Sequence, residues 1–589
     1  FNERYSEAAL LGVLNQHGFA ERLQQIAQQG SRLPGSPGAY RTEALIAESF
    51  RAAGLEVVTR ELPVTVPVTE VCEIADAQGR PLPDVQLYPY RPAGLLPVAL
   101  PPEGITANLA LMEATDLPYL TGQSPTGTIV VTYVDSAESW LGLAAVGVPA
   151  LIVREDDLGA LVKANPDDPA AWERANAQEE LTFPRFVARG PIEKYAGQRV
   201  TIRCRVVWQE KIVRNVLGIL RGEKPQSEAL VLAAHYDSNS IVPDLAPGAE
   251  ESIGLAALLE YGRALAPYRG TLARDVVFVA SAGRGQTYAG TTRLMESLET
   301  FTAKREDYRS VAERQQAQRL ALQHVERGLA MAGQLGTAAV GDGDFREWFA
   351  REWAVVTGEI NLARREEALQ ARLEYLRAGS PVYRAGFDPG RASDAERKDP
   401  ANSHPLLQAY LVAKECEGRS ANAMTLALPE LARQADFVRW DYAGQWRKRC
   451  ERLQAWHAQQ LRELEGMLAV RAAFAPYERT LTLSLELFSG GMQRRKDMAV
   501  LVGTKNAGNM VEPQISELAT LLREKSGEAF QVVHWGARDA DGSLEKPNRH
   551  GHLEAVPWHQ CGFQAFTLTN YEFVPGRVGT PDDTVEQLP

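Results

Sequence analysis

His235 and Asp237 stand two residues apart at the end of the apolar run Leu232-Ala233-Ala234. That run predicts a strand, and its C-terminal end is where open α/β sheets hold their ligands. Two carboxylates, Glu250 and Glu251, follow in Pro247-Gly248-Ala249-Glu250-Glu251-Ser252-Ile253-Gly254. They open a predicted helix, close to its positive end. Histidine with carboxylates is the donor set of metal-assisted hydrolysis. The same residues also suit a plain hydrogen-bonded His–Asp pair. The chain has no G-x-S-x-G elbow and no phosphate-binding loop.

The elements around these residues read as α/β. Strands are expected at 213–220, 229–234 and 275–280, with a helix at 253–266 between the last two. Alternating strands and helices favour a parallel sheet with helices on both faces. Residues 1–61 read as helices around the turn Arg32–Gly38, then a strand. Residues 62–205 are proline-rich with short β runs, which reads as a β-rich insert. Residues 206–302 form the first part of the α/β domain. Residues 303–479 are rich in Ala, Leu, Glu, Arg and Gln at helical spacing, so a large helical insertion is expected there. Strict alternation returns at Thr480–Phe488, opening the second part of the domain at 480–589.

Composition narrows the function. Apolar residues are 45% and charged residues 23%, as in ordinary globular proteins. The net charge is −12 without a long basic run, which argues against nucleic acid. No run of 18 apolar residues occurs, so no membrane span is expected. Five cysteines without a C-x-x-C exclude a structural zinc finger but leave room for one disulfide. The first residue is Phe1, consistent with a removed signal segment. An exported protein, periplasmic or extracellular, is the expectation.

Four ordered blocks resemble peptidase family M28, which includes zinc aminopeptidases, glutaminyl cyclases, transferrin receptor and nicastrin. Ala234-His235-Tyr236-Asp237-Ser238 resembles its A-H-x-D-S block. Pro247-Gly248-Ala249 with Gly254 resembles its P-G-A-x-D block, one residue shorter. Ala289-Gly290-Thr291 resembles the tail of its E-E-x-G-x-x-G-S block. Gly579-Thr580-Pro581-Asp582-Asp583-Thr584 resembles its C-terminal H-T-x-x-D-T block. The resemblance implies a phosphorylase/hydrolase-like sheet flanked by helices, and it likens 62–205 to a protease-associated domain.

The departures from the family pattern fall on the metal ligands. The first histidine is His235, with Asp237 as its supporting acid. The bridging Asp becomes Glu251. The general base and the ligand beside it become Arg284 and Gly285. The later Asp becomes Glu486, and the final His becomes Gly579. Arginine stays protonated and cannot take a proton from water. The expectation is therefore a non-catalytic homologue with no metal or other cofactor, in which Arg284 fills the metal's place beside Asp237, Glu251 and Glu486. The bland alternative points Arg284 into solvent. The rival is an active zinc exopeptidase with a rebuilt site. It would use His235, Glu251 and Glu486, with His550 or His552 added and Glu250 as a conceivable base.

The remaining candidates read as structural. His534 and Trp535 suit a packed strand end. His17, His324, His404 and His457 lie in helical stretches, and Cys416 and Cys450 read as inert thiols. The helical insertion is the natural surface for a protein partner or a homodimer. The vestigial pocket could still take a peptide terminus. A subunit of a larger exported complex is a third reading.

Overall fold

The computed structural model describes residues 16–90, 100–112, 125–132, 142–157, 183–223, 227–298, 310–335, 343–377, 440–487, 499–504, 520, 524, 530–535, 554–561, 563–569 and 584–585. They divide into two compact units. The first holds Phe1–Thr302 with Gly466–Pro589, and the second holds Ala303–Glu465.

The first unit is built on a mixed sheet of 13 strands. In chain order these are β1 Glu56–Asp76, β2 Gln86–Pro89, β3 Ile105–Leu111, β4 Thr128–Val131, β5 Leu151–Arg154, β6 Arg185–Arg189 and β7 Arg199–Leu220. Then come β8 Glu228–His235, β9 Asp275–Ser281, β10 Arg479–Glu486, β11 Ala499–Thr504, β12 Phe530–Trp535 and β13 Gln564–Thr569. The spatial order is β12-β11-β13-β10-β8-β9-β7-β3-β4-β5-β6-β2, with β1 alongside β7. Strands β9, β8, β10 and β13 run parallel. Their near-continuous apolar runs are what a sheet buried on both faces requires. On one face lie helices α1 Gln16–Ala27, α2 Pro37–Ala52 and α3 Ile253–Leu265, packed through Ile26, Ile46, Phe50, Leu255 and Leu258. On the other face, α4 Ala289–Leu298 and the end of a long helix contribute Leu294, Met295, Val470 and Phe474.

Two features depart from the sequence expectation. The strand expected to close the 1–61 segment runs on to Asp76, through Pro63 and Pro67, and pairs with β7 over its whole length. Prolines survive in a strand when it lies at an edge, because the missing N–H need not face a partner. Among the described residues, the strand β1 pairs with is β7, so its other side is such an edge, apart from an isolated bridge of Ala75 to Pro81. Likewise the strand expected at 213–220 begins at Arg199. The resulting ribbon carries the chain to the β-rich segment and back. There β3, β4, β5 and β6 run parallel over a core of Ile129, Ile152, Phe186 and Ile202.

The second unit contains α5 Val311–Met331 and α6 Asp344–Arg377, with the first part of α7 Tyr442–Phe474. Its core is aromatic. Trp446 is fully buried among Trp348, Phe349 and Trp353, and its indole N–H donates to the Gly328 carbonyl at 2.9 Å. His324 packs on Phe345 and Trp348, and His457 bonds Gln318 at 2.7 Å. Burial pushes the Cys450 thiol up to about 12, so it is a poor nucleophile. No helix among the described residues is long and apolar enough to cross a membrane.

At the opposite edge of the sheet from the site, Asp275 ties three segments. Its carboxylate accepts from the Gly222 N–H at 2.7 Å, the Tyr477 hydroxyl at 2.6 Å and Arg221 at 3.0 Å. Burial opposes the charge, but these donors outweigh it and lower the pKa. A depressed carboxylate pKa contributes stability above its unfolded value, and that stability is lost as pH falls through the folded value. Asp275→Asn should therefore cost roughly 1–3 kcal/mol at neutral pH. The gap from wild type should shrink below about pH 4. Urea unfolding at pH 7 and pH 3 reads both.

Candidate functional site

Three parallel strands end together at one edge of the sheet. His235 closes β8, Ser281 closes β9 and Glu486 closes β10, with His235 in register with Ser281. The loops beyond carry the remaining site residues, as the topology of open α/β sheets requires. Glu250 and Glu251 lie on a short helical turn, Glu250–Ser252, just ahead of α3. Two glycines allow the close packing. Gly248 has φ +59°, and a Cβ there would meet Ser238 and Arg32. A Cβ on Gly254 would stand 2.1 Å from the Leu485 carbonyl, so α3 can seat on β10 only with glycine there.

Arg32 holds this arrangement from behind. It is fully buried and donates to the carbonyls of Tyr236 at 3.0 Å, Pro247 at 2.6 Å and Gly248 at 2.8 Å. Its own carbonyl accepts from Ser238 N–H at 3.2 Å. One side chain thus fixes the loop after His235 against the turn before Glu251.

At the centre is Arg284. Its Nη1 donates to Glu251 Oε1 at 3.1 Å and its Nη2 to Glu486 Oε2 at 3.5 Å. Its backbone N–H donates to Asp237 Oδ2 at 3.0 Å. The Arg284 side chain is 20% exposed, while both carboxylates are 3% exposed. It does not point away into solvent. Burial works against the guanidinium charge, yet Glu486 and Glu251 outweigh it and raise its pKa. Burial likewise pushes Glu251 and Glu486 up, with Arg284 opposing. Asp237 is pushed up to about 7 by burial and then by the Glu251 charge. The segment after Arg284 is wound tightly, with Thr287 and Tyr288 at φ 56° and 57°. Left-handed backbone at two successive non-glycine residues is unusual and is held here by the surrounding structure.

His235 is 3% exposed, and neither ring nitrogen has a hydrogen-bond partner among the described residues. Burial, then Arg284 and Arg32, hold its pKa well below the usual imidazole range, so the ring is neutral. Asp237, read in sequence as its supporting acid, bonds the Arg284 N–H instead. Glu250 is buried one residue before Glu251, and Gly285 follows Arg284 beside Asn239. His550, His552 and Gly579 lie outside the described residues.

Sequence reasoning missed Glu554. It is 1% exposed, accepts from Ser281 Oγ at 2.6 Å and from the Thr291 hydroxyl, and donates its N–H to Glu486 at 2.5 Å. Burial raises its pKa against those bonds. It precedes α8, Ala555–Gln560. Only its place two residues after His552 could have marked it.

A zinc ion needs about three protein ligands with free lone pairs. Here the guanidinium already engages Glu251 and Glu486, and a dication beside it would be repelled. Among the described residues, Glu251 and Glu486 are engaged by Arg284 and are not free to ligate zinc as arranged. Among the described residues, no group of three or more His, Cys, Asp and Glu side chains is disposed to hold a metal ion.

Residues 215–311 match the model of peptidase family M28. No curated protein matches. Among solved structures, the zinc aminopeptidase BSAP from Bacillus subtilis is 13% identical, covering 98% of this chain and 90% of its own, with TM-score 0.42. An aminopeptidase from Aneurinibacillus sp. strain AM-1 is 10% identical, covering 99% and 92%, with TM-score 0.37. The γ-secretase component nicastrin is 13% identical, covering 42% and 48%, with TM-score 0.24.

Proposed function

We propose that this chain, whose residues 215–311 match the model of peptidase family M28, is a non-catalytic homologue that binds or assembles with another protein. The observation that carries this reading is the placement of Arg284 between Glu251 and Glu486 at 3.1 Å and 3.5 Å. A fixed guanidinium balances the buried carboxylates in the way a metal otherwise would. It also stands where the family pattern puts a carboxylate base, and an arginine cannot deprotonate water. No hydrolytic step is derived for this site.

The partner would dock on the helical segment within 303–479. Exposed Leu320, Leu362 and Trp456 on its helices support that. The partner is a protein or a second copy of this chain, and the crevice could retain a peptide terminus. An exported setting, periplasmic or extracellular, accompanies the proposal. One observation favours the rival zinc exopeptidase, namely that the nitrogens of buried His235 find no partner among the described residues. That reading requires Arg284 to leave both carboxylates.

The test is hydrolysis of aminoacyl p-nitroanilides, a free α-amino group at one end, by the full chain with added zinc. The proposal expects no turnover above a His235→Ala, Glu486→Ala double variant. Turnover that the double variant loses would overturn it.

A further inference from the structure

Cys72 on β1 and Cys204 on β7 stand directly opposite each other, between the pairs Val71–Arg205 and Glu73–Arg203. Opposed residues of an antiparallel pair share one face, with Cα atoms about 4.5–5.5 Å apart. A disulfide spans Cα separations of about 4.4–6.8 Å, so the backbone need not move to join them. Cys204 is 3% exposed within the core of the β-rich segment, and Cys72 packs on that same core. Both are thiols in this structure. The other two described cysteines lie elsewhere, Cys450 in the aromatic helical core and Cys561 against Trp558 and Phe563.

We propose that Cys72 and Cys204 form a disulfide site, oxidised by exchange with a small disulfide such as oxidised glutathione, that clasps the β1–β7 ribbon. The half-buried Cys72 is the thiol that solvent reaches. As thiolate it attacks the external disulfide, giving a mixed disulfide and releasing one small thiol. Cys204 then gives up its proton and attacks the Cys72 sulfur, releasing the second small thiol. Two protein thiols are oxidised and one external disulfide is reduced to two thiols. The hydrogen bond to Cys204, and then burial, raise the Cys72 pKa, so the first attack is slow at neutral pH.

The place of the bond gives it a purpose. The chain runs out to the β-rich segment along β1 and returns along β7, so a bond at 72–204 closes the neck of that segment. The closed loop holds all four parallel strands β3 to β6. Long loops are where a cross-link restrains the unfolded chain most. Exported proteins meet the oxidising conditions in which such bonds persist.

The test equilibrates the folded full chain with glutathione mixtures of increasing oxidised fraction. It is then acid-quenched, alkylated and mapped by peptide mass. The expected result is one linked pair, Cys72 with Cys204, about 2 Da lighter than the two free thiols and removed by dithiothreitol. Cys72→Ser or Cys204→Ser should abolish it, whereas Cys450→Ser should leave it. The oxidised wild type should melt about 5 °C or more above the reduced form. Independent alkylation of both cysteines in the most oxidising mixture would overturn the proposal. So would cross-linking that reaches Cys450 or Cys561 equally, or an unchanged melting temperature once the bond has formed.

Discussion

Arg284→Met is expected to destabilise the protein by roughly 3–5 kcal/mol, the usual cost of stranding buried partners of a lost charge. Glu251 and Glu486 would remain 3% exposed with no guanidinium between them. Protonating them relieves part of the cost, so the loss should be larger at pH 8 than at pH 5. Adding Glu251→Gln to the variant should recover part of the stability, because the two residues act as one unit. Arg284→Lys should fall between, since one ammonium cannot fork across both carboxylates. Zinc should raise the melting temperature of Arg284→Met more than that of wild type, because the vacated carboxylates can accept a cation. Equal stability of Arg284→Met and wild type at pH 8 would show that the guanidinium balances nothing.

Arg32→Met should cost a similar amount, roughly 3–5 kcal/mol, for a different reason. Three carbonyls would lose donors: those of Tyr236 and Gly248 in a buried setting, with Gly248 keeping the Ser252 hydroxyl, and that of Pro247 in a partly buried one. Each unsatisfied buried carbonyl costs about 1–3 kcal/mol, and partial rearrangement keeps the total below the sum. The loop bearing Asp237 and the turn bearing Glu251 should loosen together. Amide hydrogen exchange over 236–254 would show this as faster exchange, while β4 and β5 stay protected. Arg32→Lys should rescue little, because an ammonium cannot reach three carbonyls set in a fork.

Much of the site was legible because its residues sit in short motifs. His235, Asp237 and Glu251 announce themselves by type and spacing beside a strand and a helix. Arg284 stood out because a cation fell where a carboxylate was expected. Its place beside Glu251 and Glu486 was expected only through the family resemblance, since these residues stand 33 and 202 positions from it and no local spacing joins them. Glu554 was invisible for the same reason. A lone acid before a six-residue helix carries no pattern, and Ser281, its hydrogen-bond partner, stands 273 positions away. The role of Arg32 was equally hidden, because its partners are backbone carbonyls that no sequence pattern marks. In the fold, the alternating and apolar runs gave the parallel strands. The long ribbon was obscured by Pro63 and Pro67, which read as breakers unless the strand is known to be an edge.

The central claim is that Arg284, not a metal, balances the buried carboxylates. The direct measurement is zinc content, by elemental analysis, of the full chain purified with zinc present and no chelator. The account predicts less than about a tenth of an equivalent per chain. One or two tightly held equivalents, lost on His235→Ala or Glu486→Ala, would contradict it.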